Sequence, residues 1–526
     1  MIISVRLSLD GPPDPGVEPY RLFHDQIRPV LEEKRGALKA MYDPAIGRPE
    51  IDPVLLTGIT MLQFMERLPD RQTIMRFRFD VRWRLALGLS VNADAIDAST
   101  LCYFRARLAE HAQAQLVMDA GLEAMRLAGY LGHRRAVRID STHVLGQLAE
   151  LSRLECVRET IRVGLTFLGN WGGNTAWEPW FSRYADRNPQ HLRHASATHL
   201  RTTMDQAGND LLEILARTLP LGAVVCEAEP VQLLRRVFQE QFETDDTGKL
   251  AQRKATPSGS VHNPHDPEAQ WSKKRNTEWV GYKLQVAETA PEQPRPRGEP
   301  TDAVITAMVI QPAITSDQNS ISPVLKTHEE VVGEAPETVF ADAGYINAPA
   351  LDRAEKDGYE LCGPVAAPPH SGTRFGTDSF VVDIPNRTSV CPNGKTNCGC
   401  KRIAETGRQA VYYIFAWSKS DCCGCPLANQ CLSKRKQDPR RTLQVGENHM
   451  IVQQRRQLCR SPEYQRRMQR RNGIEGTQSE CVRGYGARRC RYRGLVRTNL
   501  QMQFIGAACN LRRWANRRCW LARRSD

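Results

Sequence analysis

The chain has 526 residues, of which 41% are hydrophobic and 25% are charged, and its net charge is +13. This length is enough for roughly two to four domains with separate cores. No apolar run reaches the roughly 18 residues that a membrane-spanning helix needs, and the N-terminal segment lacks the layout of a secretory signal. We therefore expect a cytoplasmic protein that has no membrane partner.

The positive charge is concentrated in the C-terminal part of the chain. Residues 432–526 contain 24 Lys or Arg and 6 Asp or Glu, whereas the rest of the chain is slightly acidic. A basic lobe on a nearly neutral body favours a polyanionic partner. A charged face that only keeps the protein soluble is the alternative.

The N-terminal part is predicted to be helical. Apolar residues recur at three- and four-residue spacing in 51–68 and in 98–111, and Asp97 or Ser99 would cap the second helix. Helix–turn–helix modules that bind DNA have this pattern, and so do many small helical bundles. We assign a helical N-terminal DNA-binding domain to residues 1–130.

A short run of β-branched residues then predicts the first strand of a catalytic domain, assigned to 131–144, which delivers Asp140 at its end. Helical periodicity returns and predicts a helical insertion over 145–262. Pro, Ser, Asn and His residues at 256–270 indicate a linker close to the end of this insertion.

The remaining core elements are predicted in 263–380. Strands are expected at 279–289 and 303–313, a helix at 323–332, a strand within 337–345 that ends at Asp342, a helix at 351–359 and a strand at 360–364. The order strand, strand, strand, helix, strand, helix, strand is typical of a ribonuclease-H-like α/β domain. The helical insertion interrupts it after the first strand.

Asp140 and Asp342 both follow predicted strands, which favours a metal-dependent phosphoryl-transfer site. Such chemistry depends on positioning and on charge neutralisation, and Mg²⁺ prefers oxygen ligands. With two ions, one activates the attacking water or 3′-hydroxyl and the other stabilises the leaving oxygen. A third acid is required, and both Glu475 and Glu480 lie beside the arginines of the basic C-terminal part, 441–526.

Clustered cysteines in 381–440 predict a small Cys-rich knob. The spacing Cys422-x2-Cys425-x5-Cys431 is typical of a structural Zn²⁺ site, with Cys391 as the fourth ligand. Such a site would fold a segment that otherwise lacks a core. Other cysteines could replace any of these ligands, and free reduced thiols are the alternative interpretation. The possible replacements are Cys398, Cys400 and Cys423.

Two basic segments are candidates for contacting a DNA backbone. The first segment lies between Trp271 and Trp279, although Trp279 fits the core of a strand better. The second is a helix that begins at Ser461-Pro462-Glu463 and leads to Glu475. Phosphate contacts of this kind position a duplex without reading its sequence. Their basic residues are Lys273, Lys274, Arg275, Arg467 and Arg471.

Five blocks, taken in order, resemble bacterial insertion-sequence transposases of the DDE type, in the family named for insertion sequence eleven eighty-two. The blocks are 51–65, 138–162, 266–289, 339–345 and 473–514. Each block alone is weak, whereas five in the same order are specific. The resemblance implies that Asp140, Asp342 and Glu475 are the catalytic acids, in preference to Glu480, and that two Mg²⁺ or Mn²⁺ ions are the cofactors.

The resemblance also implies the reaction and the partners. We expect cleavage at the element's terminal inverted repeats and strand transfer into target DNA, carried out by a homodimer that holds two ends together. Related transposases often carry Lys seven residues after the Glu, where this chain has Val482; the neighbouring Arg483 is the candidate for that phosphate contact. A nuclease without strand transfer and a silent transposase-derived DNA-binding protein are the alternatives.

Overall fold

The structure is a computed structural model, and it describes residues 11–525 with several gaps. The gaps are 44–49, 91–93, 95, 132–134, 187–191, 193–194, 245–248, 275, 294–295, 297, 367–373, 406–409 and 433–439. The N-terminal part is helical, as predicted. Its helices are Glu18–Leu22, Phe23–Ile27, Arg28–Glu33, Arg35–Lys39, Pro53–Glu66, Asp70–Phe79, Val81–Ala86, Ala98–Glu110 and Leu116–Leu127.

A six-stranded mixed sheet forms the centre of the protein. Its strands are β1 (Ala136–Leu145), β4 (Gln270–Lys274), β5 (Thr277–Thr289), β6 (Ile305–Pro312), β7 (Thr338–Phe340) and β8 (Glu360–Cys362). Between β1 and β4 in the chain, β2 (Phe242–Thr244) and β3 (Leu250–Gln252) form a separate hairpin. β5 pairs antiparallel with β4, β1 and β6, whereas β1, β7 and β8 are parallel. Helices Asp317–Val332 and Ala348–Lys356 connect β6 to β7 and β7 to β8, so the predicted order of core elements is present.

Two predicted boundaries are wrong. β1 does not end at Asp140, because residues 137–145 pair with β5 in one unbroken register, which places Asp140 inside the strand. The helix expected to begin at Pro323 begins at Asp317, because the Ser316 side chain accepts a hydrogen bond from the backbone N–H of Asn319 and caps the helix there. Pro323 lies inside the helix.

The segment between β1 and β4 is mainly helical and has its own hydrophobic core. Its helices are Arg153–Leu168, Asn174–Trp177, Trp180–Tyr184, Ala197–Thr218, Leu219–Leu221, Ala223–Cys226 and Glu229–Gln241, followed by the β2–β3 hairpin. Ser152 and Glu155 form a capping box at the start of the first helix. Ile161, Leu211 and Leu234 are fully buried in this core.

The Cys-rich segment forms two small β units and short helices. Its elements are Thr377–Ser379, β9 (Val381–Asp383), β10 (Thr388–Val390), β11 (Gly399–Glu405), β12 (Ala410–Ala416), helices Lys419–Cys423 and Ala428–Cys431, and β13 (Thr442–Gly446). β9 pairs with β10, and β11, β12 and β13 form a three-stranded sheet. The third strand of that sheet lies beyond residue 440, where the knob was expected to end.

The C-terminal part returns to helix and joins the sheet to the N-terminal helices. Its helices are His449–Leu458, Pro462–Met468, Gln469–Asn472, Gly473–Ser479, Glu480–Gly484 and Leu495–Ser525. Phe504, on the last helix, stacks on Phe64 at 5.4 Å between ring centroids, and a Cβ at Gly506 would lie 2.7 Å from the Met308 sulfur on β6. The run Phe504–Leu511 is buried and belongs to the core. No helix in the described part of the chain combines the length and apolar character needed to cross a membrane.

Candidate active site

Strand register places Asp140 beside Asp342. The last residue pair between the parallel strands β1 and β7 is Arg138 with Phe340, and each aspartate lies two residues further along its chain. Asp342 lies just beyond the end of β7, so this register brings the two residues to neighbouring positions at the sheet. Their electrostatic coupling agrees with this placement, since Asp342 raises the pKa of Asp140.

The Asp140 carboxylate is buried in a polar pocket. Only 8% of the residue is exposed, and its Oδ1 accepts a hydrogen bond of 2.7 Å from the Ser141 backbone N–H. The pKa of Asp140 is raised to about 6, mainly by burial and also by the Asp342 carboxylate, although the Ser141 N–H, Lys274 and Arg471 lower it. A bound cation would relieve the cost of ionising this group.

A third aspartate, which the sequence analysis missed, lies next to Asp342. Asp342 Oδ1 accepts the Gly344 N–H at 2.8 Å, and a Cβ on Gly344 would lie 2.9 Å from that oxygen and 3.1 Å from Asp317 Oδ2. Lys283 Nζ on β5 lies 3.2 Å from Asp317 Oδ1. Asp317 is the first residue of a helix capped by Ser316, and nothing else in the local sequence distinguishes it from other aspartates.

Tyr345 lies buried next to these acids. Its hydroxyl donates a 2.5 Å hydrogen bond to Gln285 Oε1 on β5. Burial raises the pKa of Tyr345, and the carboxylates of Asp317, Asp140 and Asp342 raise it further. The phenol therefore stays protonated and gives the acids an uncharged, hydrogen-bonded neighbour.

Glu475 is connected to Asp140 through Arg471. Arg471 Nη2 lies 3.0 Å from Glu475 Oε1, and its Nη1 lies 3.8 Å from Asp140 Oδ2. The Glu475 side chain is 65% exposed, so it is free to turn. Glu480 instead pairs with Arg513 at 2.7 Å, so its carboxylate has a structural role in holding the last helix.

A buried polar network holds the helix that carries Glu475. Glu288 on β5 is fully buried and accepts hydrogen bonds from Arg138 Nε at 2.6 Å, Thr477 Oγ1 at 2.6 Å and Arg513 Nη1 at 2.9 Å. Arg138 lies on β1, Thr477 on the helix Gly473–Ser479 and Arg513 on the last helix. One carboxylate therefore ties the strand of Asp140 to the helix of Glu475.

The predicted DNA-contact residues occupy different surroundings. Lys274 and Arg471 both lower the pKa of Asp140, so they lie close to the acids. Lys273 pairs with Glu278 at 2.6 Å on the β4–β5 hairpin, and Arg467 pairs with Glu360.

Arg483 is exposed, and its backbone carbonyl accepts a hydrogen bond of 2.7 Å from Arg67 Nη1. Arg275 lies outside the described residues. Trp279 is buried, 5.1 Å from the His143 ring, which confirms its place in the core. Burial lowers the pKa of His143 to about 4, so this imidazole is uncharged at neutral pH.

A cavity of about 910 Å³ opens beside the helix of Glu475. Arginines from three elements of the C-terminal part and from β1 line it, together with the acids Glu292, Asp302 and Glu480. The arginines are Arg138, Arg466, Arg467, Arg470 and Arg513. Because arginines outnumber acids on its wall, the cavity forms a basic groove.

The donor chemistry of the acids fits a hard divalent cation. Asp140, Asp342 and Glu475 offer only oxygen ligands, and the Arg471 cation already lies between two of them. Among the residues that the structure describes, no group of three or more His, Cys, Asp or Glu side chains is already arranged to hold a metal ion. Glu475 would have to leave Arg471 to complete such a group.

Two segments of the chain match known protein families. Residues 390–515 match the family described as "Transposase DDE domain", and residues 16–107 match "Transposase domain (DUF772)". The first match includes Glu475 and the Cys-rich segment, whereas Asp140 and Asp342 lie outside both. Searches of curated proteins and of solved structures found no match. The two family matches support a DDE transposase, a kind of enzyme that acts on DNA.

Proposed function

We propose that this chain cuts DNA at the ends of an insertion sequence and joins the freed 3′ ends to target DNA in a metal-dependent reaction. The observation that carries the proposal is the register that sets Asp140 beside Asp342, with Glu475 linked to Asp140 through Arg471. Phosphoryl transfer needs convergent carboxylates and positioned cationic groups. The five motifs, in order, support the finer assignment to the family named for insertion sequence eleven eighty-two.

Asp140, Asp342 and Glu475 would hold two Mg²⁺ or Mn²⁺ ions. Bound ions of this kind make a water or a 3′-hydroxyl more nucleophilic and neutralise charge on the leaving oxygen. The protein's own contribution is positional. Glu288 fixes the helix of Glu475 relative to β1, and the protonated Tyr345 fills the space beside the acids without adding charge.

Basic side chains around the acids would bind the DNA backbone. Lys274 lies on the hairpin close to Asp140, and the basic groove lies beside the helix Gly473–Ser479. Lys and Arg contacts to phosphates set the register of a duplex on the protein. Bringing two element ends together would require two copies of the chain, so we propose a homodimer as the working complex.

The test is cleavage and strand transfer on a DNA fragment that bears the element's own end, with Mg²⁺. We compare the intact protein with Asp342→Ala and with Asp352→Ala, an exposed aspartate that pairs with Lys356 on its own helix. The intact protein and Asp352→Ala should cut and join, and Asp342→Ala should bind DNA without doing either. Cutting without joining would identify a nuclease, and an inert intact protein that binds DNA would identify a silent relic; either result overturns the proposal.

A further inference from the structure

Four cysteines from two parts of the Cys-rich segment line one small cavity of about 20 Å³. They are Cys391, Cys422, Cys425 and Cys431. A cavity of roughly 10–15 Å³ is enough for one water-sized sphere, so this one has room for a single ion. We propose that it is a structural zinc site with these four thiolates as ligands.

Backbone turns bring the four thiols together. Cys391 follows β10 in a tight turn, where the Gly394 N–H donates to the Cys391 carbonyl at 2.8 Å. Gly394 has a φ of 74°, a backbone conformation that favours glycine. In the second arm, the Cys425 N–H reaches the Cys422 carbonyl at 3.4 Å, and the short helix that follows ends at Cys431.

Two basic residues and one acidic residue line the same cavity, namely Lys395, Arg441 and Asp421. Four thiolates around one Zn²⁺ carry a net charge of −2, which the Lys395 and Arg441 side chains on the cavity wall would partly neutralise.

The other cysteines of the segment are placed differently. Cys398 and Cys423 are exposed, and Cys400 packs against the small core from β11. The backbone N–H of Arg441 lies 3.5 Å from Cys422 Sγ, a contact that orients this sulfur as a ligand. Of the cysteines that the sequence left as alternatives, none lines the cavity.

Zinc would supply stability that the small core of this segment lacks. That core contains few large buried side chains, mainly Phe380, Phe415 and Trp417. Among the residues that the structure describes, no three cysteines are already arranged to hold a metal ion, so the four thiols would have to move closer together to bind zinc. Metal affinity then becomes folding free energy for the segment, as in other small metal-dependent units.

The first experiment measures zinc in the full-length protein, purified under reducing conditions, by elemental mass spectrometry. We expect about one zinc per chain. Cys→Ser variants at each of the four positions should lose most of it, whereas Cys398→Ser and Cys423→Ser should keep it. A chain without zinc, or one that loses zinc in either control variant, overturns the proposed ligand set.

Titration of the metal-free full-length protein with Co²⁺ keeps the test valid if a Cys→Ser variant fails to fold. Tetrahedral thiolate ligation should give intense visible and near-ultraviolet absorption at one equivalent, and Zn²⁺ should abolish it. Weak absorption typical of oxygen ligands would contradict the proposal. Neither measurement uses DNA. The zinc proposal can therefore be overturned without affecting the proposed transposase activity, and the transposase proposal can be overturned without affecting the zinc site.

Discussion

Arg471 Nη1 lies 3.8 Å from Asp140 Oδ2, in the position of a cation between two acids of the candidate site. The other guanidinium nitrogen holds Glu475 at 3.0 Å. Arg471 therefore lowers the electrostatic repulsion among the acids, and it also competes with any metal ion for both carboxylates. Its side chain is 21% exposed, which leaves it accessible to a phosphate.

Replacing Arg471 with Gln should increase the affinity of the DNA-free protein for Mn²⁺ about two- to fivefold. The substitution removes one competing positive charge in a partly screened position, an effect of roughly 0.5–1 kcal/mol. Electron paramagnetic resonance of free Mn²⁺ measures the affinity, with the exposed Arg466→Gln as the control. An unchanged or weaker affinity would show that Arg471 does not compete with the ion.

The same substitution should weaken DNA binding evenly across sequences. Loss of one phosphate contact reduces the slope of log affinity against log salt by about one. Fluorescence anisotropy over a range of salt concentrations measures this slope. If Arg471 never contacts a phosphate, the slope will equal that of the intact protein.

The sequence pattern indicated the candidate acids, but it did not predict the strand length and the neighbouring residues around them. Asp140 and Asp342 could be predicted because each follows a β-branched run, and the parallel register of Arg138 with Phe340 then brings them together. The length of β1 could not be predicted from the sequence, because it depends on pairing with a distant strand, β5. The sequence pattern misses Asp317, because it places the start of that helix at Pro323, and only the tertiary fold brings Asp317 beside Asp342.

The Cys-rich segment shows a similar division. Spacing indicated Cys422, Cys425 and Cys431 as a group, but it left several cysteines equally able to join them. The fold separates the candidates, because Cys398 is exposed whereas Cys391 lines the cavity. Local pattern therefore gives the residue types, and long-range pairing selects among them.

Asp140→Asn should stabilise the metal-free protein at neutral pH. The folded pKa of about 6 lies above the reference value of 3.8, so the folded state binds more protons and stability falls as pH rises through that window. Ionised Asp140 therefore costs up to about 3 kcal/mol at pH 7, and Asn removes that cost while keeping an oxygen for the Ser141 N–H.

Urea unfolding in the presence of a chelator, at several pH values, checks this prediction. We expect Asp140→Asn to exceed the intact protein by about 1–3 kcal/mol at pH 7 and to match it near pH 4. Replacement of the exposed Asp352 by Asn is the control, and its effect on the free energy of unfolding should not change between pH 4 and pH 7. A stability difference independent of pH would contradict the buried, destabilised carboxylate.

The Lys283–Asp317 pair should contribute measurably to stability. Both side chains are 16% exposed and 3.2 Å apart, and Lys283 Nζ also donates to the Thr315 carbonyl at 2.5 Å. Removing one charge leaves the other partly desolvated without its partner. Asp317→Asn should therefore lower the free energy of unfolding by about 1–3 kcal/mol.

A double-mutant cycle with Lys283→Gln isolates the interaction between the two residues. We expect a coupling energy of about 0.5–2 kcal/mol, with the double variant losing less stability than the two single losses added together. The exposed Lys356–Asp352 pair is the matched control and should show a coupling energy near zero. Simple additivity at Lys283 and Asp317 would mean that the pair does not hold Asp317 beside Asp342.

Glu288→Gln should loosen the helix that carries Glu475. The substitution keeps the shape of Glu288 but removes the buried negative charge that faces Arg138 and Arg513, and breaking such a pairing costs about 3–5 kcal/mol. Part of that loss should fall on the segment held by Thr477, because its hydroxyl donates to the same carboxylate. Unfolding alone cannot distinguish a local loss from a global one.

Native-state hydrogen exchange makes that distinction. In Glu288→Gln, amides of 473–479 should exchange faster than in the intact protein under conditions where the core of the helical insertion stays protected. Glu292→Gln, an exposed neighbour on the basic groove, should leave both regions unchanged. If the amides of 473–479 and those of the insertion lose protection by equal amounts, Glu288 supports the whole fold rather than the position of Glu475.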